Sequence, residues 1–250
     1  MRYLLIFMFV TQGFFLVAQT KSKKKKQTKQ TNVTSLVQSA TSALPTSSLT
    51  ESDISAGLKE ALNIGAKNAS DQLTALDGFN KNLAIRIPFP PDVSVVANKL
   101  KEFGYGKEVD DFELKLNRAA EQASKDAAPI FISAISQMTI TDAANILKGP
   151  DNAATNYLQS KTTETLFTTF SPTIKNALGN SLATSKWTEI TTLYNKLPFV
   201  THVDTDLVKY TTNKALSGLF FVLAQEEKKI RDDPASRTTD LLKKVFGNNK

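Results

Sequence analysis

The chain has no cysteine among its 250 residues. It therefore has no disulfide to staple it and no thiol to carry a lipid, so its stability must come from a packed core. Histidine is nearly absent: His202 is the only one. That excludes multi-histidine zinc sites and leaves a Ser-His triad a single candidate base. Phosphate loops are missing as well. Gly104-Tyr105-Gly106-Lys107 lacks the spacing of either glycine-rich fingerprint and follows no strand, so its glycines read as a helix stop. No internal repeat and no sustained apolar–polar alternation runs through the body.

Net charge is also missing from most of the chain. The whole sequence carries +7. Residues 1–30 hold Arg2 and six lysines (Lys21, Lys23, Lys24, Lys25, Lys26 and Lys29) and no acid. Removing those seven from the 31 basic residues leaves 24, against 24 acidic residues. The body is formally neutral. A duplex-binding domain would show its own basic face, so nucleic acid is not an expected partner.

What the first thirty residues do contain is an address. Arg2 precedes an apolar run from Tyr3 to Val17, interrupted at Thr11-Gln12-Gly13 and closed by Ala18. The run is shorter than the roughly 20 apolar residues of a membrane span, and it fits a secretory signal over 1–18. The lysine flank opposes this reading, because positive charge tends to stay cytoplasmic. The competing reading is a reversed anchor with a cytoplasmic body. Residues 19–48, rich in Lys, Thr, Ser and Gln, read as a flexible linker. The lysine tract is either a contact for anionic lipid headgroups, at about 1 kcal/mol per lysine, or a solvated, self-repelling spacer.

From residue 49 to 247 the pattern is helical, with residues 248–250 as a tail. Thr50 and Asp53 predict a capping box. Ile54, Leu58, Ala61, Leu62, Ala69 and Leu73 recur at helical steps, and Asp77-Gly78 ends the unit. Leu83 to Pro91 reads as an extended strap, because prolines hold their neighbours out of the helical region. Further helices are expected over 92–103 and 107–128, and Pro129 kinks or restarts the second. Ile130 to Met138 reads as a mostly apolar, buried segment. Thr141 opens a short helix, and others follow over 152–178, 187–197 and 205–233. In the last of these, Leu219 to Ala224 is apolar on all sides, the mark of a buried central helix. Thr238 caps a final short helix. The fold class is all-α: a single multi-helix, bundle-like domain around a buried central helix, with one short proline-bounded strap.

Three sets of residues offer chemistry. Glu226 and Glu227 follow the apolar run, and with Glu121 they form a carboxylate set that could supply an acid and a base for a hydrolase. The plainer reading pairs Glu227 with Arg231 one turn on. His202, Asp204 and Asp206 alternate, so an extended segment would put them on one side for a metal; alternatively both acids cap a helix. Asn117, Arg118 and Glu121 sit among alanines and read as a hydrogen-bonded network between helices. Arg86 is the expected partner of a buried acid, since a buried charge needs pairing.

The chain also resembles the bacterial domain-of-unknown-function family number 4197. The matching words are Glu51-Ser52-Asp53-Ile54-Ser55-Ala56-Gly57-Leu58-Lys59-Glu60-Ala61-Leu62, Ile85-Arg86-Ile87-Pro88, Asn117-Arg118-Ala119-Ala120-Glu121, Pro129-Ile130-Phe131 and Ala153-Ala154-Thr155. Toward the end they are Lys214-Ala215-Leu216, Glu226-Glu227-Lys228-Lys229-Ile230-Arg231 and Arg237-Thr238-Thr239-Asp240-Leu241-Leu242-Lys243-Lys244-Val245-Phe246-Gly247. The resemblance implies an exported, helical bacterial protein and favours the signal over the anchor. It implies no activity. The family pattern often has an acid where this chain has Ser217, so no mechanism can call on a carboxylate there.

The expected protein is an exported, cell-envelope binding module on a basic tether, in periplasm or envelope, with no cofactor. Its expected partners are an envelope protein or an apolar small ligand, and an anionic membrane surface for the tract. The hydrolase and the metal protein stand as alternatives. Deleting residues 21–29 should abolish sedimentation with anionic vesicles and leave the helical circular dichroism unchanged. Binding by the body alone at moderate salt would contradict this division of labour.

Overall fold

The computed structural model describes residues 50–90, 94–179 and 206–247, with 187–189, 191, 192, 194–196, 198 and 202. The expected signal, the linker and the lysine tract lie outside the described residues. Eight bounded α-helices and no strand occur among those described, and residues 187–189, 191, 192 and 194 are helical as well. The eight are α1 (Glu51–Thr74), α2 (Ser94–Glu102), α3 (Gly106–Ala123), α4 (Ala127–Ser136), α5 (Ile140–Lys148), α6 (Ala153–Leu178), α7 (Leu207–Asp232) and α8 (Asp240–Gly247). The all-α expectation holds. No single described helix is long and apolar enough to cross a membrane.

Helix α1 starts at the expected capping box. The Thr50 hydroxyl accepts from Asp53 N at 3.1 Å, and the Asp53 carboxylate accepts from Thr50 N at 3.0 Å. Its stripe of Leu58, Ala61, Leu62, Ala66, Ala69 and Leu73 is buried against α4, α5, α7 and α8. Asp77 then takes a left-handed φ of 68°, a conformation that short polar residues tolerate better than most.

The central helix is α7, packed on α6, α1 and α3. Its burial is not complete, which corrects the expectation for Leu219 to Ala224. Phe221 is 42% exposed, whereas Leu219 and Val222 are fully buried. The helical period explains it: Asn213, Ser217, Phe221, Gln225 and Lys228 share one outward stripe. Helix α6 is threonine-rich, as anticipated. Thr162, Thr163, Thr168 and Thr169 turn their hydroxyls back to carbonyls four residues earlier. Leu158, Leu166, Phe170, Ile174 and Leu178 hold the helix in the core.

Two caps fall one or two residues from expectation. The short helix α5 is capped by Thr139 with Asp142, not opened by Thr141. At α8 the Thr239 hydroxyl, not that of Thr238, accepts from Leu242 N at 3.2 Å. Pro129 sits in the first turn of α4, where its missing N–H costs nothing. The segment it heads is only partly buried: Phe131, Ile135 and Met138 are inside, while Ile132 is exposed.

The strap is present but shorter than expected. Asn82 to Ile85 form a turn, with Ile85 N and Arg86 N both donating to the Asn82 carbonyl, and the extended part begins at Arg86. Ile85 and Ile87 point inward and Leu83 outward. The strap region passes over α7 at Gly218, where a Cβ would lie 2.7 Å from the Phe79 ring and 3.2 Å from Ile85. Only glycine admits that approach.

A side-chain amide replaces the missing strand partner. Ile87 N donates to Asn117 Oδ1 at 2.9 Å, and Asn117 Nδ2 donates to the Ile87 carbonyl at 2.9 Å and to the Glu113 carbonyl at 2.8 Å. Asn117 and Ile87 are fully buried. Substituting Asn117→Ala should destabilise the fold by about 2–4 kcal/mol, because both main-chain groups of Ile87 lose their partner out of reach of water. Urea unfolding measures it; a loss below about 1 kcal/mol would mean that water replaces the amide.

Candidate functional site

The residues singled out in the sequence sit at three places. The first is the strap-facing side of α3. Four-residue spacing puts Glu113, Asn117 and Glu121 on one face. Glu113 accepts from Phe89 N at 3.0 Å and from Arg86 at 2.9 Å. Arg86 does pair an acid, and that acid is largely buried, but the guanidinium itself is partly exposed. Glu121 is buried and accepts from Phe79 N at 3.1 Å, Asn80 N at 3.3 Å and Arg118 at 2.6 Å. Arg118 also reaches Asp77 at 2.7 Å. Arg118 and Glu121 thus form one ion-paired group with Asp77, and Asn117 forms a separate one with the Ile87 main chain.

The second place is toward the C-terminal end of α7. Glu227 is buried and accepts from Ala154 N at 3.0 Å, Thr155 N at 2.8 Å and the Thr155 hydroxyl at 2.8 Å. These are first-turn donors of α6, so a negative charge lies at that helix's positive end. Arg231 closes the arrangement, donating to Glu227 at 2.9 Å and to the Ile146 carbonyl at 2.9 Å. Glu226 accepts from Asn68 at 3.1 Å and pairs with Lys229. The hydrolase reading needed Glu121, Glu226 and Glu227 in one open pocket. They have separate partner sets instead, because a buried carboxylate is tenable only when paired and hydrogen-bonded.

The third is the approach to α7. Asp206 is its N-cap and accepts from Lys209 N at 2.9 Å. His202 is exposed, and Asp204 lies outside the described residues. No group of three His, Asp or Glu residues is placed to hold a metal among the described residues.

A cleft among the described residues involves none of these residues. It measures about 610 Å³ and lies between α4, the start of α5 and α6. Pro129, Ile130 and Ala134 give it an apolar wall. Ser133, Gln137, Thr139 and Asp142 line one side, and Tyr157, Lys161, Thr162 and Thr165 the other. The α5 capping box fixes Asp142 and lowers its pKa, chiefly through the Thr139 hydroxyl and then the Thr139 N–H. Tyr157 is pushed up, first by burial and then by the charge of Asp142. Lys161 Nζ lies 5.7 Å from the Tyr157 ring centroid. The one sequence signal was the run Tyr157, Lys161, Thr165 at four-residue steps. Such a run on a helix normally means a solvated face, so it did not stand out.

A second, shallower groove of about 440 Å³ lies beside the α1 turn, between Leu76 and Leu83. There Asp77 is held well below the usual carboxylate range by Lys81, then Asn80, then Arg118. Its stabilising contribution is present above the unfolded carboxylate pKa of about 4 and is lost as pH falls from there toward the lower folded value. Thermal unfolding followed from pH 6 downward should show a shallower acid decline in Asp77→Asn than in the parent below about pH 4. Parallel curves would remove Asp77 from the acid response.

Residues 48–247 match the family model described as Protein of unknown function (DUF4197). No curated protein and no solved structure matches the chain.

Proposed function

The chain belongs to the DUF4197 family, whose description names no activity, and from its own geometry we propose that it is a non-enzymatic, ligand-binding module of the cell envelope. On this reading the apolar run at 3–17 exports the chain, and the lysine tract tethers the domain near anionic surfaces. The cleft between α4 and α6 holds a small ligand.

The observation that carries the reading is the cleft of about 610 Å³. That is within the size range of small-molecule sites, roughly 300–1,000 Å³. It combines an apolar wall with polar groups converging from two helices, which is how such sites orient a bound molecule. The buried carboxylates support the same reading by their occupation. Glu121 and Glu227 each accept two main-chain N–H bonds and an arginine, so neither is available to move a substrate's proton.

Filling the cleft tests this. Ser133 is exposed and lines it, so Ser133→Trp adds bulk there without touching the core. Saturable fluorescence enhancement of 1-anilinonaphthalene-8-sulfonate should be seen with the parent protein. It should weaken by about tenfold or more, over 1.4 kcal/mol, in the variant, with circular dichroism unchanged. Equal binding by the two proteins would overturn the assignment of the cleft.

A further inference from the structure

Two charged side chains line the cleft, Asp142 and Lys161, and neither has an ionic partner among the described residues. They carry opposite charge, yet they do not pair with each other. Each is held back by its own element. Asp142 is fixed by the α5 cap, its Oδ2 accepting from Thr139 N at 3.0 Å and from the Thr139 hydroxyl at 2.7 Å. Its Oδ1 makes no hydrogen bond among the described residues. Lys161 rests over the Tyr157 ring, 5.7 Å from its centroid, and the Tyr157 hydroxyl also makes no hydrogen bond among the described residues.

The cleft thus presents a carboxylate and two donors, one of them cationic, that make no hydrogen bond to one another among the described residues, although Lys161 is exposed and its charge helps to lower the Asp142 pKa. An apolar wall of Pro129, Ile130 and Ala134 adjoins them. An anion alone would leave Asp142 opposed to it, and a cation alone would leave Lys161 opposed to it. A ligand carrying both charges matches both ends, and the charge-assisted hydrogen bonds it forms are stronger than neutral ones.

Resting on the reading of this cleft as a ligand site, we infer that its ligand is a zwitterion with an apolar body. A carboxylate lies against Lys161 and the Tyr157 hydroxyl, an ammonium group lies against Asp142 Oδ1, and hydrocarbon lies on the α4 wall. A volume of about 610 Å³ exceeds what one amino acid fills and suits a short peptide with free termini and apolar side chains. A free amino acid shares the same charge chemistry.

Calorimetric titration of the full chain with the dipeptide Leu-Leu tests this. Parallel titrations use its N-acetylated form, its C-terminal amide and leucine. Leu-Leu should bind, and blocking either end should weaken binding by about tenfold or more. Lys161→Met should weaken Leu-Leu to the same degree and make amidation of no further effect. Asp142→Asn should do the same for acetylation, while keeping an oxygen for the Thr139 cap. Leucine binding as tightly as Leu-Leu would support the inference and name the amino acid as the source. No binding of Leu-Leu, or binding indifferent to both blocked ends and both substitutions, overturns it. If Ser133→Trp still abolishes dye binding in that case, the ligand site stands and only the zwitterion falls. If Ser133→Trp changes nothing, the site itself falls.

Discussion

Extended backbone with no neighbouring strand must find partners for its N–H and C=O groups or stay in water. Residues 79–89, turns as far as Ile85 and extended from Arg86, face that demand, and they cross the buried face of α7 at Gly218. Helix α3 resolves the conflict with three side chains one turn apart. Glu121 takes Phe79 N and Asn80 N, Asn117 takes both main-chain groups of Ile87, and Glu113 takes Phe89 N. With those bonds made, Phe79 and Ile87 can be buried completely. Without them, the strap would have to hydrate, and the cover over α7 would open. The many surface ion pairs, such as Lys67–Asp71 and Lys228–Asp232, matter far less, because exposed pairs contribute at most about 1 kcal/mol each.

The same device recurs at the other end of the core. Glu227 accepts two N–H groups from the first turn of α6 and an arginine one turn along its own helix, as Glu121 does with the residues after α1 and with Arg118. In both cases a carboxylate from one helix completes the main chain of another element. Removing one partner of such a buried arrangement leaves an uncompensated charge or donor, which costs more than the pair contributes. The polar residues of the interior are therefore committed to architecture. The cleft between α4 and α6 is lined by other polar groups, and of the buried polar residues it shares Thr162.

Much of the fold was legible in the residues. The Thr50–Asp53 box, the apolar steps of α1 and the proline-bounded strap all appear where their chemistry puts them. The misses are local and physical. Thr139 and Thr141 both precede an apolar run, and Thr238 and Thr239 are adjacent. Which hydroxyl caps depends on backbone angles that the sequence alone leaves undecided. Phe221 sits in an apolar hexamer yet faces out, because α7 has neighbours on some sides only. The pairing of Glu227 with Arg231 is readable from their spacing, but the other partners of Glu227 and Glu121 include Ala154 and Phe79, 73 and 42 residues away. The cleft was illegible because Asp142 and Lys161 belong to different helices, and each is unremarkable on its own.

Trp187 is the only tryptophan in the chain. Its indole is buried, its N–H has no acceptor among the described residues, and its ring meets Phe89 of the strap at 5.5 Å and Phe112 of α3 at 5.9 Å. The emission of the whole protein therefore comes from one ring in a dry aromatic nest, of which the strap is one wall. Lifting the strap would wet that ring and shift its spectrum to the red. The molecule carries its own optical gauge, set at the seam that the α3 side chains keep closed.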